Sequence, residues 1–329
     1  MPDIPAAPQH DTSPPRVIAF VLTPGYALMS LASAVEPLRA ANLLAGRELY
    51  RIRFLSAGGG FAASTAGGGF PCEDLAAATA DFDIAFVVAG GNPLRYEDPA
   101  LARALRGLHA RKVPLGGISG GAAILARHGL MANRRFTVHW LHIDALQELH
   151  PDLAVERALF VIDRDRFTCA GGVAAMDMMC AIIAARHGAD FARSVSDWFI
   201  HPRLRAAGEP QQLDPARRYN LHHPVLESVV GMMSSHLADP LSPAQLAQLS
   251  GASLRQLQRL FRDHLDRPMM QFYRELRLDK AEELLEQSSL GILDIALSTG
   301  FSSVAHFTRG FAARFGEPPA RRRRKIRGA

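Results

Sequence analysis

A chain of 329 residues is too long for one ordinary core, and a 48% hydrophobic content is enough to fill two. The 21% charged fraction is that of an ordinary soluble protein, and a formal charge of +5 leans mildly toward polyanionic partners. Cys72, Cys169 and Cys180 are too few and too scattered for a disulfide framework or a zinc site, and no apolar run reaches the ~18 residues of a membrane span, so a reducing cytoplasmic setting without membrane, metal or cofactor is expected.

Residues 1–15 are Pro-rich, carry Asp3 and Asp11 and contain no apolar run, which excludes a signal peptide and reads as a disordered leader. Residues 17–22 form a short β-branched run stopped by Thr23-Pro24-Gly25, as a buried strand would be. Helical spacing follows over 31–44, alternation over 50–55 up to Gly58-Gly59-Gly60, and a second buried strand over 84–88 stopped by Gly90-Gly91. A helical stretch at 101–108 precedes a run at 113–118 that enters a sharp turn at Ser119, and 122–127 begins another helix. Strands alternating with helices predict an α/β domain over 16–200, with a doubly wound, mostly parallel, flavodoxin-like sheet. Residues 159–163 and 167–170 flank a hairpin turn at Arg164-Asp165-Arg166, and the apolar helix over 174–187 contains Asp177, costly there unless paired. The Pro-, Gly- and Gln-rich stretch 201–224 lacks apolar periodicity and is read as the linker.

From residue 225 to 320 the pattern is all helical and contains two helix-turn-helix units. In the first, Ser242 caps a helix that starts at Pro243, and Ser253 caps the next, where Leu254, Leu257, Leu260 and Phe261 line one side. The other side carries Arg255, Gln256, Gln258, Arg259 and Arg262, the residue types that grip guanine and adenine edges with two hydrogen bonds. In the second unit, after Gly300-Phe301, a stripe of Phe307, Phe311 and Phe315 leaves Ser303, His306 and Arg309 facing outward. A charged helix over 270–286 can act as a spacer that sets the two reading helices about one DNA turn, roughly 34 Å, apart. An ordinary bundle with an Arg- and Gln-rich outer face would look similar for one unit; two in tandem with matching glycine turns argue for DNA. Residues 321–329 read as a basic, solvated tail.

Gly117-Ile118-Ser119-Gly120-Gly121 matches the G-x-S-x-G nucleophile elbow between a strand and a helix. Alone it supports a serine hydrolase or amidase fused to a DNA-binding domain, with Ser119 as nucleophile and the Gly120 N–H as an oxyanion donor. His139, His142, Asp144 and Asp177 are available as triad partners, but no spacing singles any of them out. Such turns also serve as tight strand-to-helix joints.

These motifs carry two resemblances. The segment 225–320, with Leu246-Ala247, the 253–261 helix, Arg274-Glu275-Leu276, Gly300-Phe301-Ser302-Ser303 and Phe315-Gly316-Glu317-Pro318, resembles the AraC/XylS-type DNA-binding domain. By position this implies Arg255, Gln258 and Arg259, then Ser303, Val304, His306 and Arg309, as DNA-binding residues. The segment 16–200, with Pro24-Gly25-Tyr26, residues 31–42, Gly90-Gly91, the elbow, Thr137-Val138-His139-Trp140 and Cys169-Ala170-Gly171-Gly172, resembles the class I glutamine amidotransferase-like (PfpI-type) fold that serves as the sensor of some AraC-type regulators. The enzymes carry cysteine at the elbow, so serine implies a ligand pocket in place of a catalytic site. Relatives of this pattern respond to carnitine, glycine betaine or arginine-like metabolites. The resemblance thus implies a ligand site of Glu36, Gly90, Gly91, Ser119, Gly120, His139 and Trp140, with Glu36 at its floor and Trp140 as an aromatic wall. The expected protein is a regulator, an activator, that binds double-stranded DNA and a small-molecule effector, works with RNA polymerase and forms a homodimer.

Overall fold

The computed structural model describes residues 13–78, 81–212, 219, 221–288 and 290–327. Most of the expected leader, the greater part of 213–220 and the last two residues lie outside them. The chain divides into two compact units, Met1–Gln211 and Gln212–Ala329.

The first unit alternates strands and helices: β1 (Arg16–Leu22), α1 (Leu28–Ala45), β2 (Tyr50–Ser56), β3 (Gly60–Ala63), β4 (Gly69–Asp74), β5 (Ile84–Ala89), α2 (Pro99–Ala110), β6 (Leu115–Ser119) and α3 (Gly121–Arg127). There follow α4 (Trp140–Leu149), the hairpin β7 (Phe160–Asp163) and β8 (Arg166–Cys169), then α5 (Ala174–His187) and α6 (Ala189–Trp198). The strands form one eight-stranded sheet in the order β3-β4-β2-β1-β5-β6-β8-β7, parallel except at the β3–β4 and β7–β8 edges. β5 is apolar throughout because both of its faces are covered, and all of it is buried. Ile18, Phe20, Ile84 and Phe86 face a core shared with α1, α5 and α6. Val87, on the other face, meets α3, where a side chain on Gly121 would collide with its backbone. From β1 the chain builds outward in both directions, to β2 on one side and β5 on the other, so the switch point lies at the carboxyl ends of β1 and β5.

The expected linker begins later than residue 201. Asp177, with a fully buried side chain, accepts from the Arg205 backbone N–H at 2.9 Å and from its guanidinium at 2.7 and 3.0 Å. The Gln211 amide donates to Thr137 Oγ1, Val138 O and Ala158 O at 2.7–3.0 Å, and Leu159 N–H donates to Ala207 O at 2.9 Å. Polar bonds, not apolar periodicity, fasten 201–211 to the sheet unit, which is why the pattern read as a linker. At its far edge Leu221 lies in the core of the second unit.

That unit holds α7 (Pro224–Ser235), α8 (Pro243–Ser250), α9 (Leu254–Leu265), α10 (Met269–Gln287), α11 (Ile292–Ser298), α12 (Val304–Phe315) and α13 (Pro319–Arg327). Leu226, Val230, Leu246, Leu257, Phe261 and Phe272 build the core around the first helix-turn-helix unit. Two expectations change here. Leu254 is 38% exposed, not part of the buried stripe. The basic tail is helical as far as Arg327: Arg322 pairs with Glu282 at 2.6 Å, Lys325 with Glu317 at 2.8 Å, and Arg323 donates to Leu290 O. Arginine is a good helix former, and pairing to acids in its own unit removes the reason for the run to stay solvated.

Candidate nucleic-acid interface and ligand site

The second helix of each helix-turn-helix motif is started by a serine. Ser253 Oγ accepts from Gln256 N–H at 3.2 Å at the head of α9, and Ser303 Oγ from His306 N–H at 3.4 Å at the head of α12. Each helix follows a turn through a left-handed glycine, Gly251 at φ 67° and Gly300 at φ 75°. At Gly300 a β-carbon would stand 2.5 Å from Leu237 O, so both backbone hand and space demand glycine. Leu257, Leu260 and Phe261 anchor α9, while Phe307 and Phe311 anchor α12.

The anchoring turns the polar faces outward. Arg255, Gln258 and Arg259 are exposed on α9, as are Ser303, His306 and Arg309 around the head of α12, with Val304 half-buried. Among the described residues, no side chain pairs with Arg255, Gln258, Arg259 or Arg309, whereas Arg314 on the same helix as Arg309 is held by Asp279. His306 lies edge-on to Phe301, 5.9 Å between centroids, and Arg277 covers that ring at 4.1 Å while donating to Thr299 O. Within the second unit, helix α10 lies between the two helix-turn-helix motifs; its 19 residues make a rod of about 28 Å at 1.5 Å per residue.

In the first unit, β6 ends at Ser119, which is buried and held at φ 58°, the strained left-handed hand of an elbow. The structure brings Ser30, Gly171, Gly172 and His139 to it. Gly172 N–H donates to Ser30 Oγ at 2.7 Å, and a β-carbon on Gly171, itself at φ 86°, would stand 2.5 Å from Ser119 Cβ and 2.8 Å from Ser30 Oγ. His139 N–H donates to Ser119 O at 3.4 Å, and its ring packs beside Trp140 at 5.2 Å. His139 Nδ1 accepts from Leu141 N–H at 3.3 Å to cap α4, and burial pulls its pKa below the usual imidazole value. Burial, then the charge of His139, draws buried His142 down to about 4. Cys169, paired in register with Ile118, is a buried thiol whose pKa burial pushes up to about 12.

Two expected ligand residues are placed otherwise. Glu36 is half-exposed and bound to Arg39 at 2.6 Å. It follows Ser30 by six residues, which on an α-helix is about 9 Å along the axis and roughly a third of a turn away from the same face. Ser30, buried in the first turn of α1, is the residue that meets the elbow; its signal was a small polar residue just after the Pro24-Gly25 turn. Gly120 offers no free donor, because its N–H goes to Ala89 O at 3.2 Å. Gly90 and Gly91 lie beyond the end of β5; a side chain on Gly90 would strike Gly25 O at 2.4 Å, and Gly91 is exposed at φ 58°. Trp140 is half-buried. Among the described residues none hydrogen-bonds Ser119 Oγ.

An α/β unit with a serine elbow, in one chain with two helix-turn-helix units, defines a DNA-binding regulator. Comparison with known proteins makes this specific: the helix-turn-helix domain family matches residues 246–325, and the DJ-1/PfpI family residues 16–185. The chain belongs to the AraC-type helix-turn-helix transcriptional regulators that carry a DJ-1/PfpI domain. It is 45% identical over 320 residues to the HTH-type transcriptional regulator GlxA of Rhizobium meliloti, covering 97% of this chain and 99% of that one. It is 43% identical over 304 residues to CdhR of Pseudomonas aeruginosa, covering 92% and 90%. The crystal structure of an AraC family transcriptional regulator from Pseudomonas putida superposes with a TM-score of 0.52 at 28% identity, covering 56% of this chain and all of that one. No helix among the described residues is long and apolar enough to cross a membrane.

Proposed function

We propose that this chain is a transcriptional activator that dimerises, binds a small metabolite in its DJ-1/PfpI unit and presents α9 and α12 to successive major grooves of one operator, where it engages RNA polymerase. The observation that carries the reading is the set of unpaired, exposed Arg255, Gln258, Arg259 and Arg309 on two serine-capped helices. Solvated guanidinium and amide groups on a rigid helix face match base edges without first breaking internal bonds. The elbow region, with Gly90, Gly91, Ser119, His139 and Trp140, is the proposed metabolite site, Ser30 replacing Glu36 as the α1 contribution. A metabolite switches such a protein only by binding one arrangement more tightly than the other.

The test is fluorescence anisotropy of the full chain on an operator selected from random DNA. Arg259→Ala and Arg309→Ala are each expected to cost about 1–3 kcal/mol on that operator and far less on unrelated DNA. Equal loss on both DNAs would reduce the two arginines to phosphate contacts. A second reading, a serine hydrolase, is favoured by the strained φ of Ser119. Against it stands the engagement of His139 Nδ1 by Leu141. Turnover of an ester or amide panel that Ser119→Ala abolishes would establish that reading.

A further inference from the structure

The first unit ends in a strap, residues 201–211, that contains neither helix nor strand. Leu204 and Ala207 pack against the core, and the rest of the hold comes from hydrogen bonds that open without breaking a ladder. The strap starts from a strained residue. Ile200 stands at φ 53°, a hand that β-branched side chains rarely take, and at 91% exposure no burial of its own offsets the strain. Neighbouring bonds hold it there: Ile200 N–H donates to Asp197 O at 3.0 Å, His201 N–H to Ser196 O at 3.2 Å, and Ser196 Oγ to His201 O at 2.8 Å.

At the other end stands Gln211. Its Nε2 brings two hydrogens to three acceptors, Thr137 Oγ1 at 2.9 Å, Val138 O at 3.0 Å and Ala158 O at 2.7 Å. Its Oε1 is buried and accepts from none of the described residues. An amide satisfied on one side only carries a desolvation cost in the closed position, so a small displacement of its acceptors can tip the balance. Those acceptors adjoin the elbow. Thr137 and Val138 are fully buried, and the next residue, His139, donates its N–H to Ser119 O. The second fastening, Arg205 on Asp177, falls in the first turn of α5, six residues beyond the Gly171 that packs on Ser119. Both fastenings therefore grip backbone continuous with the elbow.

From this we infer that the strap 201–211 is a latch, closed by Gln211, through which occupancy of the elbow sets how much free chain leads into the second unit. Shifting the 137–139 wall weakens the three bonds to the Gln211 amide. Release there frees residues 206–211 back to the Arg205 clasp; release of the clasp as well lets Ile200 leave its strained conformation, so the strain favours opening. The inference rests on the reading of the elbow as the metabolite site, and it supplies the two-state element that such a reading needs.

Hydrogen–deuterium exchange of the full chain, read by mass spectrometry, tests the coupling with no metabolite present. Gln211→Ala is expected to speed exchange about tenfold in 201–209 and about threefold in 136–142, across the wall, with 84–89 in β5 unchanged as the sign of an intact core. Arg203→Ala breaks only the exposed pair with Glu209, 2.6 Å, and is expected to leave 136–142 at its wild-type rate. Coupling is reciprocal, so His139→Ala, made at the elbow, is expected to speed 201–209. A strap that opens in Gln211→Ala while 136–142 is unmoved, or one indifferent to His139→Ala, overturns the inference. So does an Arg203→Ala chain that speeds 136–142 as much as Gln211→Ala does. A metabolite whose thermal shift is lost in His139→Ala but which leaves 201–209 unmoved would keep the metabolite site and overturn the latch. Coupled exchange in the variants, with no metabolite in a broad panel shifting the melting curve, would uphold the latch and remove the metabolite as what moves it.

Discussion

His142 shows how one buried side chain makes the first unit sensitive to acid. His142 is 3% exposed, its Nδ1 has no hydrogen-bond partner among the described residues, and burial draws its pKa down to about 4. An unfolded imidazole titrates near 6.5, so as pH falls the unfolded chain takes up the proton first. The stability held above about pH 6.5 is therefore lost progressively toward pH 4, by roughly 2 kcal/mol between 6.5 and 5. Urea unfolding at several pH values should show this slope, and His142→Leu should flatten it. At pH 7 that variant should cost little, because it also removes an orphaned nitrogen. Gly171 is the opposite case, a residue defined by the side chain it lacks. With φ at 86° and Ser119 Cβ 2.5 Å from any added methyl, Gly171→Ala should destabilise the unit by about 1–3 kcal/mol in chemical denaturation.

At the scale of elements, the serine caps make the sharpest prediction. Ser253→Ala and Ser303→Ala each remove the acceptor for one helix-start N–H, and each should lower the stability of the second unit by about 1 kcal/mol in thermal unfolding. The reading helices and central strands were legible in the sequence because their apolar residues repeat with the period of the element that buries them. The elements that escaped lack that signal. The β3–β4 hairpin is short and glycine-bounded. Helix α13 is an arginine run whose partners, Glu282 and Glu317, sit outside it in sequence or at its edge. The proposed site follows the same division: Ser119 and His139 belong to local motifs, whereas the choice between Ser30 and Glu36 depends on which face of α1 meets β6. A carboxylate drew attention by its charge, and a buried serine offered none.

On the scale of the whole molecule, the two units have separate cores, and each carries one half of the proposed activity. The place of the boundary depends on polar bonds that no periodicity announces. The stretch from Ile200 to Gln211 is tied to the first unit by the Asp177–Arg205 clasp and by the Gln211 amide. The clasp has a practical consequence for anyone dissecting or recombining these regulators. A fragment ended at Ile200 keeps a carboxylate stranded in α5 with its guanidinium amputated, an arrangement that typically costs 3–5 kcal/mol. A fragment ended at residue 212 should melt well above one ended at 200; coincident melting curves would refute this. Chimeras that exchange sensing halves between relatives should therefore be spliced beyond Gln211, since an earlier junction would graft the donor's half without its own fastening.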